Sequence, residues 1–319
     1  MTQPAAVRTD GLTKHYPGVQ ALTDLTLEVP SGSIYGFLGP NGAGKTTTLK
    51  ILAGLIKPTS GTASIEGTPL SDGSAFRRAV GYLAQDPRFY DWMTARETLS
   101  FVASLSDDPA VSDRAWIDAV LARVGLADAA DRRTKTYSGG MRQRLGIAQA
   151  LVTKPRVLLL DEPVSALDPL GRREVLDLMS ELKGEATVFY STHILDDVQR
   201  VSDRVAIVDG GRLVRAAPTG ELLASFTRDK LRVVIGGADD STALRLASMP
   251  GVLSVEPAER EGDLRAYLLR VRPEDAPAVQ REVTRFASQS DLTLTENGLL
   301  RLDLEDVFLR VIDPKERAA

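Results

Sequence analysis

Residues 39–46 read GPNGAGKT and match the pattern G-x-x-x-x-G-K-[ST] in full. A short apolar run (IYGFL, 34–38) precedes this segment, and a stretch rich in Thr, Leu and Ile follows it. A strand, a loop and a helix in this order are the context in which the pattern binds phosphate. The glycines let successive backbone N–H groups point into one concavity, and the following helix adds its positive end to the same anion. The segment therefore predicts a phosphate-binding loop.

The side chains of this loop indicate a nucleotide that binds together with a metal ion. Lys45 should reach the β- and γ-phosphates, and the Thr46 hydroxyl should ligate Mg²⁺. The predicted cofactors are therefore a nucleoside triphosphate and Mg²⁺. The other loop residues expected to contact the nucleotide are Gly39, Pro40, Asn41, Gly42, Ala43, Gly44 and Thr47.

An acidic pair, Asp161 and Glu162, follows a second apolar run (RVLLL, 156–160). The run is typical of a strand covered on both faces, and Pro163 ends the segment. We expect Asp161 to hold Mg²⁺ through water and Glu162 to orient or deprotonate the attacking water. A solvated acidic pair is the alternative, and the phosphate loop upstream makes it the weaker one.

Composition and charge limit the possible partners. A net charge of −4 gives no general basic field that would attract nucleic acid. The chain has no cysteine, and its two histidines are His15 and His193, which excludes disulfides and histidine-rich metal sites. The first ten residues lack the pattern of a secretory signal, and no apolar run approaches the roughly 18 residues that a membrane helix needs. We expect a soluble chain that acts at a membrane through a partner.

The order of apolar and amphipathic segments predicts two domains, 1–225 and 226–319, with a helical subdomain at about 86–155. The first domain should be α/β with parallel strands, because nearly continuous apolar runs alternate with helical patterns. Residues 25–29 (LTLEV) alternate instead, which favours an antiparallel edge strand. Further strands are expected at 187–191 (TVFYS) and 204–208 (RVAIV), with a helix at 195–201.

The second domain has the predicted order strand, helix, strand, strand, helix, strand, which suggests a small α+β domain of ferredoxin-like type. Its expected strands include 231–235 (LRVVI) and 264–271 (LRAYLLRV). A last helix is expected at 304–312.

The segment TYSGGMRQRL, residues 136–145, places two glycines behind Ser138 at a predicted helix start. Ser138 can cap this helix, whose apolar face includes Leu145 and Ala148. Gly139 and Gly140 would let the helix approach an anion without a Cβ in the way. The segment therefore indicates either a second phosphate site or, taken alone, a plain helix cap.

Several motifs together resemble those of the ATP-binding cassette (ABC) ATPases. The resemblance covers about the first 220 residues, and the segment around Ser138 looks like the LSGGQ signature, with departures at Tyr137 and Met141. It implies a P-loop NTPase fold with a RecA-like core, an antiparallel β subdomain and a helical subdomain. The motifs occur in family order: Tyr16, GPNGAGKTT (39–47), Gln85, YSGGM (137–141), LLLDEP (158–163), SALD (165–168) and His193.

The resemblance implies further roles within the nucleotide site. Tyr16 would stack on adenine, although a loop tyrosine can also have no role. Gln85 would ligate Mg²⁺ and sense a bound membrane domain. His193 would contact the γ-phosphate and act with Glu162 and Lys45 in catalysis, whereas a lone histidine is more often structural.

The resemblance also implies a site shared between two chains. Ser138, Gly139 and Gly140 would contact ATP bound by a second cassette, and Asp168 would couple the two sites. Two cassettes would then enclose two ATP molecules head to tail. We expect two copies of this chain, with a paralogous partner chain as the alternative.

The first functional hypothesis is an ATPase subunit, cytoplasmic and peripheral on the inner face of the cell membrane, that powers a separate permease. The aromatic stretch after Gln85, from Phe89 to Phe101, would receive a helix of that permease or pack in a core. The C-terminal domain with LEDVFL (304–309) is similar to extensions of cassettes that serve ABC-2-type exporters, which implies export of a drug, lipid or ion.

The alternative is a soluble ABC ATPase in translation or DNA maintenance. A single phosphate loop and the lack of long heptads weigh against it, and Glu162 and His193 weigh against a switch without turnover.

Overall fold

The computed structural model describes residues 4–73, 75–227, 229–300 and 304–312, apart from the side chains of residues 259, 261, 310 and 312. Contacts divide the chain into two compact units, one containing the residues up to Thr219 and the other Gly220–Arg310. The domain bounds 1–225 and 226–319 stay a prediction. Within the described ranges, no helix has both the length and the hydropathy needed to cross a membrane.

Strands and helices alternate through most of the chain. The strands are β1 (Ala5–Tyr16), β2 (Val19–Pro30), β3 (Ile34–Leu38), β4 (Ser60–Ile65), β5 (Thr68–Pro69), β6 (Val80–Leu83), β7 (Val157–Asp161), β8 (Thr187–Thr192), β9 (Arg204–Asp209), β10 (Arg212–Pro218), β11 (Lys230–Gly236), β12 (Val252–Glu261), β13 (Leu264–Val271) and β14 (Thr293–Leu299). The α-helices are α1 (Lys45–Leu52), α2 (Ala95–Ala103), α3 (Arg114–Arg123), α4 (Gly139–Leu151), α5 (Pro169–Glu181), α6 (Leu195–Val201), α7 (Thr219–Thr227), α8 (Asp240–Ala247), α9 (Ala276–Gln289) and α10 (Leu304–Ile312).

The larger sheet of the first unit has the strand order β10-β9-β3-β8-β7-β6. All neighbouring strands in it are parallel except β9 and β10. Every residue of β3, β7 and β8 is buried, which confirms that their apolar runs form strands covered on both faces. Because the strands are parallel, their carboxyl ends and the loops that follow lie along one edge of the sheet.

A second sheet of the same unit is antiparallel, with the order β2-β1-β4-β5. Residues 25–29 belong to β2, the edge strand, as their alternating pattern predicted. Their apolar side chains at 25, 27 and 29 are buried while the intervening polar ones are exposed. The β1–β2 pair carries Tyr16 at its turn and so places it beside the loop that follows β3.

Between β6 and β7 the chain forms α2, α3 and α4, which are the predicted helical subdomain. Helix α4 begins directly after Ser138, as expected. Its predicted apolar face is buried, with Leu145 and Ala148 both fully inaccessible. The face packs against β6, where a Cβ on Gly81 would lie 2.0 Å from the carbonyl oxygen of Ala150. This close approach fixes α4 against the sheet.

The second unit, described by itself, is a four-stranded antiparallel sheet with the order β12-β13-β11-β14. Helices α8 and α9 connect its strands and bury Leu246, Val279 and Val283 in its core. Counted within the unit, the strand order is 2-3-1-4, the ferredoxin-like arrangement that the βαββαβ pattern predicted. Helix α10 also occurs where it was expected.

We expect Leu159→Ala, in the middle of β7, to lower the free energy of unfolding of the first unit by about 2–5 kcal/mol. Leu159 is fully buried, so truncation would leave a cavity inside the parallel sheet. Leu105→Ala is the control, because Leu105 is 70% exposed. Urea unfolding followed by circular dichroism measures both. Equal destabilisation by the two substitutions would contradict the assignment of β7 as a central strand.

Candidate nucleotide-binding site

A cleft of about 520 Å³ lies at the carboxyl edge of the parallel sheet, beside the loop between β3 and α1. It brings Gln85 and Glu162 to the phosphate loop, although both residues are far from that loop in sequence. Tyr16, half exposed, lines the same cleft and could face a base there. The lining residues are Tyr16, Val19, Ala21, Asn41, Gly42, Ala43, Gly44, Lys45, Thr46, Thr47, Gln85 and Glu162.

The conformation of the phosphate loop depends on its glycines. Gly44 has a φ of 94°, and a Cβ there would lie 2.6 Å from the carbonyl oxygen of Ala21. At Gly39 a Cβ would lie 2.3 Å from the carbonyl oxygen of Val208. Among the described residues no side chain caps α1 at Gly44, so the N–H groups of its first turn are suited to an anion.

The Lys45 side chain is only 7% exposed. Its Nζ donates to the carbonyl oxygens of Gly39, at 2.7 Å, and Pro40, at 3.2 Å. Glu162 Oε1 lies 3.8 Å from the same Nζ. Burial lowers the pKa of Lys45, and the nearby charges of Glu162 and Asp161 act in the opposite direction. A partly dehydrated ammonium group at this position is suited to a highly charged phosphate.

Asp161 ends β7 and is fully buried. Its Oδ1 accepts hydrogen bonds from Thr46 Oγ1, at 3.1 Å, and from Ser191 Oγ, at 2.6 Å. Its Oδ2 is buried and has no hydrogen-bond partner among the described residues. An unpaired buried carboxylate oxygen is costly, and a cation would remove that cost.

The residues around Asp161 fit Mg²⁺. Oxygen ligands from Asp161 and Thr46, with Gln85 in the same cleft, are the hard donors that this ion prefers. Within the described ranges no three His, Asp or Glu side chains form a metal cluster. Mg²⁺ commonly takes one or two protein ligands and completes its shell with phosphate and water, so the donor set is sufficient.

Glu162 follows Asp161 with a φ of 51°, in the left-handed region that a residue with a Cβ rarely adopts. Both oxygens of its carboxylate lie 3.0 Å from His193 Nδ1. Glu162 is almost fully buried, whereas the His193 side chain is half exposed. The structure thus pairs a carboxylate that could accept a proton from water with an imidazole that orients it.

Sequence reasoning missed Ser191, which is fully buried next to both acidic residues. Its Oγ donates to Asp161 Oδ1 and accepts a hydrogen bond from the Glu162 N–H at 3.1 Å. Asp161 and Ser191 are register partners in β7 and β8. A hydroxyl residue at the end of the predicted strand 187–191 was the available signal.

Ser138 caps α4 by accepting a hydrogen bond from the Met141 N–H at 3.2 Å, and both Ser138 and Gly139 are exposed. A Cβ on Gly139 would meet no atom within 4 Å. Asp168 likewise caps α5 through the Gly171 N–H at 2.8 Å. The residues that line the cleft in the described part of the chain do not include Ser138, Gly139, Gly140 or Asp168.

The chain is similar to known proteins of one family. The ABC transporter family description matches residues 22–165, which contain the phosphate loop, the Ser138 segment and the acidic pair. The daunorubicin/doxorubicin resistance ATP-binding protein DrrA of Streptomyces peucetius is 36% identical over 312 residues, 97% of this chain and 93% of that protein. The bacitracin transport ATP-binding protein BcrA of Bacillus licheniformis is 41% identical over 309 residues, 96% of this chain and 97% of that protein.

Solved structures give the same result. An ATP-binding subunit of an ABC transporter has a TM-score of 0.64 at 31% identity, over 69% of this chain and 93% of that one. A dimeric ATP-binding cassette in a post-hydrolysis state, bound to ADP and Pi, has a TM-score of 0.62 at 26% identity, over 67% and 98%. The chain belongs to the ATP-binding proteins of the ABC transporter family. It is an ATPase with the P-loop NTPase fold of that family, and the alternative in translation or DNA maintenance is not favoured.

We expect Ser191→Ala to raise the Mg²⁺ concentration for half-maximal ATP hydrolysis by about 10–100-fold, because the substitution removes the shorter of the two hydrogen bonds that hold Asp161 Oδ1. A magnesium titration of ATPase activity measures the shift. Ser180→Ala is the control, since Ser180 Oγ donates to the carbonyl oxygen of Leu176 within α5 at 3.0 Å. An unchanged magnesium requirement in Ser191→Ala would show that Ser191 does not position the metal ligand.

Proposed function

We propose that two copies of this chain enclose two ATP molecules and drive a separate membrane permease that exports a drug, lipid or ion. The observation that carries the proposal is the division of phosphate-binding features within one chain. The cleft holds the phosphate loop and Glu162, whereas the exposed helix start at Ser138 lies outside its lining. A second chain, placed head to tail, would bring its own Ser138 segment to this cleft.

The start of α4 supports this division. Its N-terminal N–H groups and the helix dipole favour an anion, and the bare surface at Gly139 allows close approach. Gly140 belongs to the first turn of α4, and a Cβ there would lie 3.3 Å from Cδ2 of Leu167, the residue before Asp168. We assign Ser138, Gly139, Gly140 and Asp168 to the ATP bound by the partner chain. A similar cassette has been solved as a dimer bound to ADP and Pi, which is consistent with the arrangement.

Hydrolysis would then depend on positioning and charge. Glu162 orients or deprotonates the attacking water while His193 holds its carboxylate through Nδ1. Lys45 would leave the loop carbonyls to neutralise phosphate charge. Mg²⁺, held by Thr46, Asp161 and Gln85, would supply further charge neutralisation at the phosphates.

The aromatic residues after Gln85 support a docking surface for the permease. Trp92 is 65% exposed and Tyr90 55%, and their rings contact each other at a tilt, with centroids 4.7 Å apart. A groove of about 480 Å³ beside them is lined by Trp92, Met93, Arg96, Glu97 and Ser100. Aromatic side chains this exposed favour a partner contact over core packing.

The assignment to an exporter at the inner face of the cell membrane rests on the relatives and on the second unit. One relative is named for daunorubicin and doxorubicin resistance and another for bacitracin transport, and both align along nearly the whole of this chain. The ferredoxin-like unit is therefore included in the similarity. No nucleic-acid partner is proposed.

We expect Glu162→Gln to bind ATP, to hydrolyse it at least about 100-fold more slowly and to form a stable dimer with Mg-ATP, because the loss of the carboxylate blocks turnover after binding. Sedimentation velocity with and without Mg-ATP measures the dimer. Glu181→Gln, at the exposed end of α5, is the matched control and should keep wild-type turnover. The double variant Lys45→Ala with Glu162→Gln should stay monomeric. A monomer of Glu162→Gln at saturating Mg-ATP would exclude the dimer that encloses two ATP molecules, which we call the sandwich.

We expect affinity purification of the tagged chain, expressed at native level, from detergent-solubilised membranes to recover a polytopic membrane protein in one-to-one ratio. Mass spectrometry identifies the partner. The variant Trp92→Ala should recover less of it, because it removes the most exposed ring of the proposed docking surface. Ribosomal proteins or DNA in place of a membrane protein would refute the coupling to transport.

A further inference from the structure

Helix α4 carries a buried amide that the mechanism described above does not use. Gln143 is 1% exposed. Its Nε2 donates to the carbonyl oxygens of Glu162, at 3.2 Å, and Pro163, at 3.1 Å. A buried amide is costly unless it is hydrogen-bonded. This one donates both of its N–H groups to the carbonyl oxygens of two successive residues, the proposed catalytic glutamate and the proline after it.

These two peptides hold the catalytic glutamate in a strained conformation. Glu162 has a φ of 51°, which persists in a residue with a Cβ only when the surroundings fix it. Its N–H donates to the carbonyl and hydroxyl oxygens of Ser191. Its carbonyl oxygen accepts from Gln143 Nε2 and from Ser165 Oγ, at 3.0 Å. The backbone of Glu162 is therefore held from β8 on one side and from α4 on the other.

The same helix begins at the exposed cap residue Ser138. Its first turn also touches the loop after Glu162, since a Cβ on Gly140 would lie 3.3 Å from Leu167 Cδ2. Gln143 stands about one and a half turns beyond Ser138. A helical segment this short moves as a unit, so a displacement of its start would reach the carbonyl oxygens of Glu162 and Pro163.

We propose that Gln143 is a positioning residue that sets the backbone of Glu162 and connects the start of α4 to the catalytic carboxylate of the same chain. The second half of this inference rests on the proposed function, in which Ser138 contacts ATP bound by the partner chain. Occupation of the partner's site would then adjust Glu162 in this chain's own site. The two ATP sites would communicate through Gln143.

The variant Gln143→Met tests the first half, because it keeps the length and burial of the side chain and removes both N–H donors. We expect kcat for ATP hydrolysis to fall about 10–100-fold, since small misplacements of a catalytic group have effects of this size. KM for ATP and the Kd of a fluorescent ATP analogue should stay within about 2-fold, because Gln143 does not line the cleft.

The control is Trp116→Phe, which removes another side-chain donor to a backbone carbonyl at the opposite end of α4. Trp116 Nε1 donates to the Val152 carbonyl oxygen at 2.8 Å. This variant should lower the melting temperature and leave kcat within about 2-fold at a temperature where it is folded. An unchanged kcat in Gln143→Met, an equal loss in Trp116→Phe, or a rise of KM and Kd together with the loss of kcat would overturn the proposal.

A second variant, Gln143→Glu, gives a readout that a purely structural role would not move, and it decides the matter if Gln143→Met does not fold. A buried carboxyl facing two carbonyl oxygens can donate one hydrogen bond when protonated and none when ionised. The ratio of kcat of Gln143→Glu to kcat of wild type, measured on folded protein, should rise several-fold when the pH is lowered from 8 to 6. A ratio that is constant with pH would count against positioning by hydrogen bonding.

The second half is tested by the ATP dependence of the rate. Wild type should show a Hill coefficient above 1, and Gln143→Met a coefficient close to 1. If Glu162→Gln stays monomeric with Mg-ATP, the sandwich fails while the kcat comparison still decides the role of Gln143. If the dimer forms and Gln143→Met keeps the wild-type Hill coefficient, communication through Gln143 is refuted and the sandwich stands.

Discussion

The site depends on the parallel register of β3, β8 and β7. Residues of β7 pair with β8 up to Asp161 and Ser191, and β3 pairs with β8 up to Leu38 and Thr192. The phosphate loop and the acidic pair therefore emerge side by side. The 2.6 Å hydrogen bond from Ser191 Oγ to Asp161 Oδ1 joins the carboxyl ends of β8 and β7, and both residues are fully buried. A shift of one residue would turn Asp161 to the other face of the sheet and separate it from Thr46.

The burial of charge at this edge follows from the same register. Lys45, Asp161 and Glu162 are all largely or fully buried, and the ammonium group alone cannot satisfy two carboxylates. Burial lowers the pKa of Lys45 although both acidic neighbours oppose this. A site with one dehydrated cation and one unpaired carboxylate oxygen is arranged for a phosphate and a metal ion together, because each of these would satisfy one of the two groups.

Local patterns predicted most of the fold. The loop 39–46 could be read from its glycines and its flanking strand and helix, and the α4 start from Ser138, because these signals lie within a few neighbouring residues. The ferredoxin-like order of the second unit followed from alternating apolar patterns. Gln143 and Ser191 could not be assigned roles in this way. Their partners lie 19 to 30 residues away, and the contacts depend on how α4 and β8 are placed against β7.

Polar side chains hold the segment between Glu162 and Asp168 at several points. Gln143 fixes it from α4, and on its other side Asp168 caps α5. One turn further along α5, Arg172 Nη2 lies 2.7 Å from Oδ1 of the buried Asp197 on α6, the helix that follows His193. Burial raises the pKa of Asp197, and the bond to Arg172 opposes the shift. Because hydrogen bonds are directional, these contacts leave the segment few alternative positions. Such rigidity suits a reaction in which the protein contributes orientation and charge rather than a covalent bond.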